Sequence, residues 1–156
     1  MEEESQVQEP TSDGGIEILE ARFLPATEWL QLARMGEIIM FAPQVLLLTF
    51  VAQFLDRPES QLQASATRRS ELLKFIHAGN PPWTCRYICP RPIGQTADGR
   101  GIVALDHAGP ELEGSDKKGE PDRIVLYRAT KEGPREVEIR WRRDVVAQAK
   151  KAKSTL

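Results

Sequence analysis

The sequence predicts an α/β domain, and two periodicities and one apolar run carry that expectation. Apolar residues recur at helical spacing through the first half of the chain, and from Trp83 onward they alternate with a period of two. Between Ile38 and Leu55 lie eighteen consecutive residues without a charge.

The opening stretch, 1–15, is acidic and polar, ends in SDGG, and reads as a disordered tail. In IEILEARFL (16–24), Ile16 and Ile18 flank Glu17, the alternation of a strand. Pro25 then opens a helix whose stripe is Trp29, Leu30 and Ala33 and whose stop is Gly36. A short apolar link, EIIMFA, leads to a second helix opened by Pro43. From Pro43 to Leu55 this helix is about 20 Å long at 1.5 Å per residue, whereas a bilayer core needs roughly 30 Å. Leu46, Leu47, Leu48, Phe50, Val51, Phe54 and Leu55 cover nearly all its sides. A helix apolar all round in a soluble chain is a buried one, so burial is expected and a membrane span is not. DRPESQLQASAT reads as a linker, and RRSELLKFIHA as a helix with Leu72, Phe75 and Ile76 on one side before GNPP ends it.

CRYICPRPIGQ and GIVALD flank TADGR, whose Asp98-Gly99 pair signals a hairpin. Pro90 and Pro92 confine the first of these strands to a sheet edge, because proline has no N–H for a ladder. After the loop HAGPELEGSDKKGEP, the strands DRIVLYRA and REVEIRWR form a second hairpin around TKEGP. In the last strand Val137, Ile139 and Trp141 share one face and Glu136, Glu138 and Arg140 the other, which predicts an antiparallel sheet with one wet face. The expected organisation is a disordered acidic tail over 1–15, a half-domain of one strand and two helices over 16–55, a linker and helix over 56–80, antiparallel hairpins over 81–144 and a basic tail over 145–156.

Composition bounds function. At 156 residues, 40% hydrophobic and 28% charged, the chain suits one globular domain with or without tails. A net charge of -2 supplies no global field to draw nucleic acid or a membrane surface. Cys85 and Cys89 are too few for a disulfide framework, and residues 1–15 contain no apolar secretory segment. A cytoplasmic protein without a membrane partner or a specific nucleic-acid partner is expected.

The run EARFLPATEWLQLARMGEIIMFAPQVLLLTFVAQFL resembles the C-terminal half of a Nudix hydrolase domain. In that family a late strand ends in an aromatic, a Pro-x-x-Glu step opens a short helix ending near Gly-Glu-Ile, and a proline-bearing link enters the final helix. Phe23, Pro25, Glu28, Gly36–Ile38 and Pro43 match those features. The later part, DGRGIVALDHAGPELEGSDKKGEPDRIVLYR, looks like the extension of fungal relatives in the coenzyme A branch, and the resemblance spans roughly residues 16–143. It implies a partial Nudix-like α/β/α sandwich with an added antiparallel sheet. For the complete family domain it also implies magnesium- or manganese-dependent hydrolysis of nucleoside diphosphate derivatives. The family's box, whose helical glutamates hold those metals, has no match here. REVEIRWRR, the one Arg-Glu run, alternates as a strand. The resemblance therefore carries over a fold and no catalytic, cofactor-binding or metal-binding residue.

Other constellations admit two readings each. Cys85 and Cys89 with His77 and His107 have the residue types of a Cys2His2 zinc site. On a strand, however, positions 85 and 89 lie about 13 Å apart at 3.3 Å per residue, and two reduced, unpaired cysteines are favoured. Asp106-His107 ends a strand before a glycine-rich loop, but no nucleophile has a recognisable context beside it. Lys117 and Lys118 lie in a loop without the strand–Gly–helix order of a phosphate loop. Three lysines in the closing AKKAKSTL make a weak acidic-partner site. Ser154-Thr155-Leu156 is a degenerate peroxisomal address with Thr155 in the basic position, so the peroxisome is the alternative location.

The expected function is a Nudix-like chain inactive by itself, and the alternative is a non-enzymatic protein-interaction module. The partner implied is the missing N-terminal Nudix half or a second copy in a homodimer. A monomer is expected only if residues 56–143 fold back over the apolar helix.

Overall fold

The computed structural model describes residues 22–56 and 65–154. The strand expected over 16–24 falls mostly outside them, and residues 22–25 are not part of a strand. The elements run α1 (Ala26–Met35), α2 (Ala42–Leu55), α3 (Ser65–His77), β1 (Cys89–Gln95), β2 (Gly101–His107), β3 (Glu120–Ala129), β4 (Pro134–Trp141) and α4 (Arg142–Ser154). The class is α/β. The strands form one antiparallel meander in the order β1-β2-β3-β4.

Local chemistry explains the helix pair. Pro25 precedes α1, and Gly36 ends it at φ 76°, a left-handed turn in which the Glu37 N–H reaches the Leu32 carbonyl at 3.0 Å. The link Glu37–Phe41 turns the chain into α2, where Pro43 lies in the first turn and the Gln44 side chain accepts the Phe41 N–H at 2.8 Å. At the far end, Asp56 Oδ2 accepts the Thr27 N–H at 2.6 Å. The residue closing α2 thus satisfies an orphan donor at the start of α1, and the two helices run antiparallel.

Strand alternation sorts the rest. Val103, Leu105, Val125 and Val137 face α1 and α2 and share a core with Ala33, Met40, Val45, Leu46 and Phe50. Ile102, Ile124 and Leu126 face the other way and pack on Val145 of α4. The second face is therefore only partly wet: Glu138 and Arg140 lie on it as expected, but Arg142–Ser154, expected as a β-strand end and basic tail, forms a helix whose Val145 covers Ile124 and Leu126. The sheet of the hairpins is the sheet on which α1 and α2 pack. Pro90 and Pro92 lie on β1, which is an edge strand as its prolines require.

The described residues of 65–143 do fold back over α2, but not on every side. Phe75 of α3 and Trp83 pack on Phe50 with ring centroids 5.0 and 4.5 Å away, and Phe75 also meets Phe54 at 5.1 Å. Val45, Leu46, Phe50 and Phe54 are buried, while Leu47 stays 59% and Leu55 39% exposed. The expectation of a helix buried all round fails at those two residues, because α1, α3 and the sheet together surround only part of the helix.

Trp141 also departs from expectation. It alternates with Val137 and Ile139, yet it is 42% exposed, since β4 ends there and α4 turns away. Its ring is covered instead by the guanidinium of Arg123 at 4.3 Å and of Arg143 at 5.4 Å.

Candidate functional site

The residues weighed for metal or acid–base chemistry are separated by the fold. Cys85 closes a 3-10 turn, Trp83–Cys85, rather than sitting on a strand, and Cys89 begins β1. His77 ends α3. Among the described residues no three His, Cys, Asp or Glu side chains converge on a common point. Asp106 and His107 are consecutive on β2, so their side chains leave opposite faces of the sheet. Asp106 pairs with Arg142 of α4 at 2.8 Å and with Arg91 of β1 at 3.7 Å, a tie between the sheet and its covering helix.

His107 lies directly across the β1–β2 ladder from Cys89. A thiol beside an imidazole is the raw material of a nucleophile and its base. The His107 Nδ1, however, accepts the Gly109 N–H at 3.0 Å. Neutral imidazole with Nδ1 as acceptor carries its proton on Nε2, and so offers Cys89 no free basic nitrogen. Lys117 stands over the Tyr87 ring at 5.9 Å, and the Lys118 carbonyl takes the Tyr87 N–H at 3.1 Å, which ties this loop to the chain before β1.

Two charged centres had no signal in the sequence. Glu120 is 1% exposed, although it sits in the polar run KKGEPD. Its carboxylate takes Arg86 at 2.9 Å and Arg123 at 3.2 Å, plus the Asp122 N–H at 3.2 Å. Arg86 lies 4.3 Å from the Trp83 ring and Arg123 5.2 Å from Phe50. Every oxygen is satisfied and both cations are stacked, so the centre clamps β3 to the aromatic cluster and offers no vacant ligand position. The second centre is Glu138, which joins Arg100 at 2.7 Å, Arg140 at 3.5 Å and Arg34 of α1 at 3.6 Å. Its hydrogen bond raises the Arg100 guanidinium above its ordinary value, against partial burial. At the hairpin tip the Thr96 hydroxyl, and then Arg100, hold the Asp98 carboxyl below its usual range. These contacts fix the β1–β2 turn against β4 and leave both groups in their ordinary charge states near neutral pH.

Four concavities open on the surface of the described residues: two, of about 650 and 480 Å³, are lined by charged side chains at the β3–β4 turn and the start of α4, and two are apolar. Between α1 and α2, a groove of about 470 Å³ is lined by Trp29, Ile38, Met40, Gln44, Leu48 and Val51, with Ile39 and Leu47 at its margin. No lining side chain carries a charge. A smaller cavity of about 240 Å³ lies at the start of α2, between Phe41 and Pro43 and the sheet residues Val103, Val125 and Tyr127. The groove continues along Leu47, Val51 and Leu55, which recur every four residues along α2; Leu47 and Leu55 are exposed and Val51 is half-buried. Among the described residues, no helix is long and apolar enough to cross a membrane.

Comparison of the chain with protein-family models, with curated proteins and with solved structures finds no match. The resemblance to Nudix hydrolases thus rests on the residues quoted for it alone.

Proposed function

We propose that this chain is a non-enzymatic protein-binding module whose working surface is the outer face of the α1–α2 pair. One observation carries the reading: an uncharged groove flanked by a projecting Leu47 on a helix that is otherwise the centre of the core. Contiguous exposed apolar surface on a soluble domain marks an interaction site, because leaving it in water forgoes burial worth roughly 25 cal/mol per Å². Nothing in the packing of α2 demands that Leu47 be apolar, since it contributes to neither buried cluster. The test is binding of an environment-sensitive hydrophobic dye to the folded chain. Leu47→Glu removes the dye signal while leaving the melting temperature within a few degrees; a native chain that binds no dye sinks the reading.

A second reading makes the module the C-terminal half of a Nudix-like domain, its partner being the half that bears the metal-binding box. The observation favouring it is local: Pro25, Gly36 and Pro43 begin and end the helices at the positions the resemblance assigns them. Magnesium or manganese would then be held by the partner's glutamates, and this chain would supply the closing helices and the sheet.

A further inference from the structure

We propose that the cavity at the start of α2 binds a small, uncharged, mainly apolar molecule with one hydrogen-bonding group, of the size of a bicyclic aromatic. Apart from Met40 the cavity shares no lining residue with the α1–α2 groove, and the proposal does not rest on the binding-module reading. The first observation is depth. The cavity of about 240 Å³ is floored by Val103 of β2, Val125 of β3 and Val137 of β4, all buried core residues. Met40, also buried, and Ala42 close it on the helical side. Protein interiors pack densely and hold few voids larger than a water molecule, so a recess of this size reaching the core is a specific feature of the fold.

The second observation is that the walls cannot swing in to close it. Pro43, Pro90 and Pro134, from α2, β1 and β4, have no side-chain rotamers to change, and the three valines are stiff at χ1. Pro90 also falls within a register shift of β1, between Cys89 and Arg91, where the edge strand bulges. Beside the cavity the Phe41 ring is 58% exposed, an aromatic side chain left in water that a bound molecule would cover.

The third observation is the chemistry of the lining. No lining side chain is a carboxylate or a cation, so an ionised ligand would give up its hydration for no partner. Tyr127 alone carries a polar group there. Its ring lies against β2 where Gly101 has no side chain: a Cβ at Gly101 would lie 2.5 Å from the ring's Cε1 and 3.0 Å from its hydroxyl oxygen. Among the described residues that hydroxyl has no hydrogen-bond partner. Apolar walls with one polar group are the usual make-up of a small-molecule site. An apolar cavity of about 150 Å³ takes benzene, and the larger volume here suits two fused rings.

The experiment titrates the full chain with indole and with indene, which has the same shape but no N–H, and follows the methyl resonances of Val103, Val125 and Val137 by NMR. Indole is expected to shift all three saturably and to bind about fivefold more tightly than indene, the value of one hydrogen bond, from its N–H to the Tyr127 hydroxyl oxygen. Tyr127→Phe removes that advantage and leaves indene binding unchanged. Ala42→Leu places a larger side chain in the cavity and weakens both probes by at least about tenfold, with the circular dichroism of the fold unchanged. Should leucine unsettle the start of α2, Tyr127→Phe, which removes a single atom, still decides. Valine methyls that do not move up to the solubility limit of either probe, or shifts that a folded Ala42→Leu chain retains, overturn the site. Equal affinity for indole and indene in the native chain overturns the hydrogen bond and with it the class of ligand. Leu47→Glu, on the other groove, changes none of these readings, so failure here leaves the binding-module reading standing.

Discussion

At the scale of single residues, positions of similar appearance carry very different weight. Val137 is almost wholly buried among Val125, Val103 and the helices, whereas Trp141, its neighbour in the same alternation, is held only by two guanidinium groups at the surface. Val137→Ala is expected to cost about 2 kcal/mol, two methyl-sized groups plus a cavity. Trp141→Ala is expected to cost about 1 kcal/mol, the value of exposed cation–π contacts. Chemical denaturation of the two variants checks the order, and a larger loss for Trp141→Ala would mean that its ring is packed more deeply than its exposure indicates. Gly119 is a sharper case. A Cβ there would lie 2.1 Å from the Leu105 carbonyl oxygen and 2.8 Å from that of Tyr87. Both obstacles are backbone, so no side chain can move aside, and Gly119→Ala should lose about 1–3 kcal/mol through forced displacement of β2 from β3. An unchanged melting temperature would refute that close approach. In sequence, Gly119 reads as one more glycine of a loop; only the neighbouring strand gives it a role.

At the scale of elements, α4 decides how the sheet ends. RRDVVAQAKKAKS has a helical composition but only a short apolar face, and Val145 is its one buried anchor among the described side chains. That anchor covers Ile124 and Leu126, and the Arg142–Asp106 pair holds the helix start to β2. Val145→Asp places a carboxylate against those two side chains and should cost about 2–3 kcal/mol. Hydrogen exchange would show amides of α4 losing protection before those of β2 and β3. Simultaneous loss across all three would mean that α4 is integral to the sheet rather than a cover. Tail and helix were hard to tell apart from sequence for a physical reason. Isolated helices of this length are marginal in water, and this one is stabilised by the sheet face it meets.

At the scale of the whole molecule, the described residues build one continuous core from a helical first half and a β second half, and among them one apolar face of α2 has no cover. Purified by itself, it is expected to release no nucleotide from coenzyme A, nucleotide sugars or dinucleotides with magnesium or manganese. Hydrolysis of a diphosphate needs several carboxylates fixed around a metal. The acidic residues of the loop after β2, Glu111 and Glu113, point from a glycine-flanked turn that does not gather them. Metal-dependent turnover that co-purifies with the chain and vanishes on substituting Glu111 or Glu113 would overturn this.

The sequence by itself determined the class and most of the elements, because they depend on short-range physics. Proline and glycine punctuate α1 and α2, apolar residues recur at helical spacing in α3, and alternation with turn residues marks the two hairpins. It also determined that β1 is an edge, since Pro90 and Pro92 cannot serve a ladder on both sides. What only the tertiary structure decided is which apolar residues find a neighbour. Leu46 and Leu47 are adjacent and chemically identical, yet one is fully buried and the other more than half exposed, because the cover over α2 comes from Phe75, Trp83 and the sheet, far along the chain. The burial of Glu120 is equally a product of distance: Arg123 is three residues away on β3, but Arg86 and the Trp83 and Phe50 rings come from far along the chain. Local pattern states what a segment can become, and long-range packing selects which of its side chains stay at the surface.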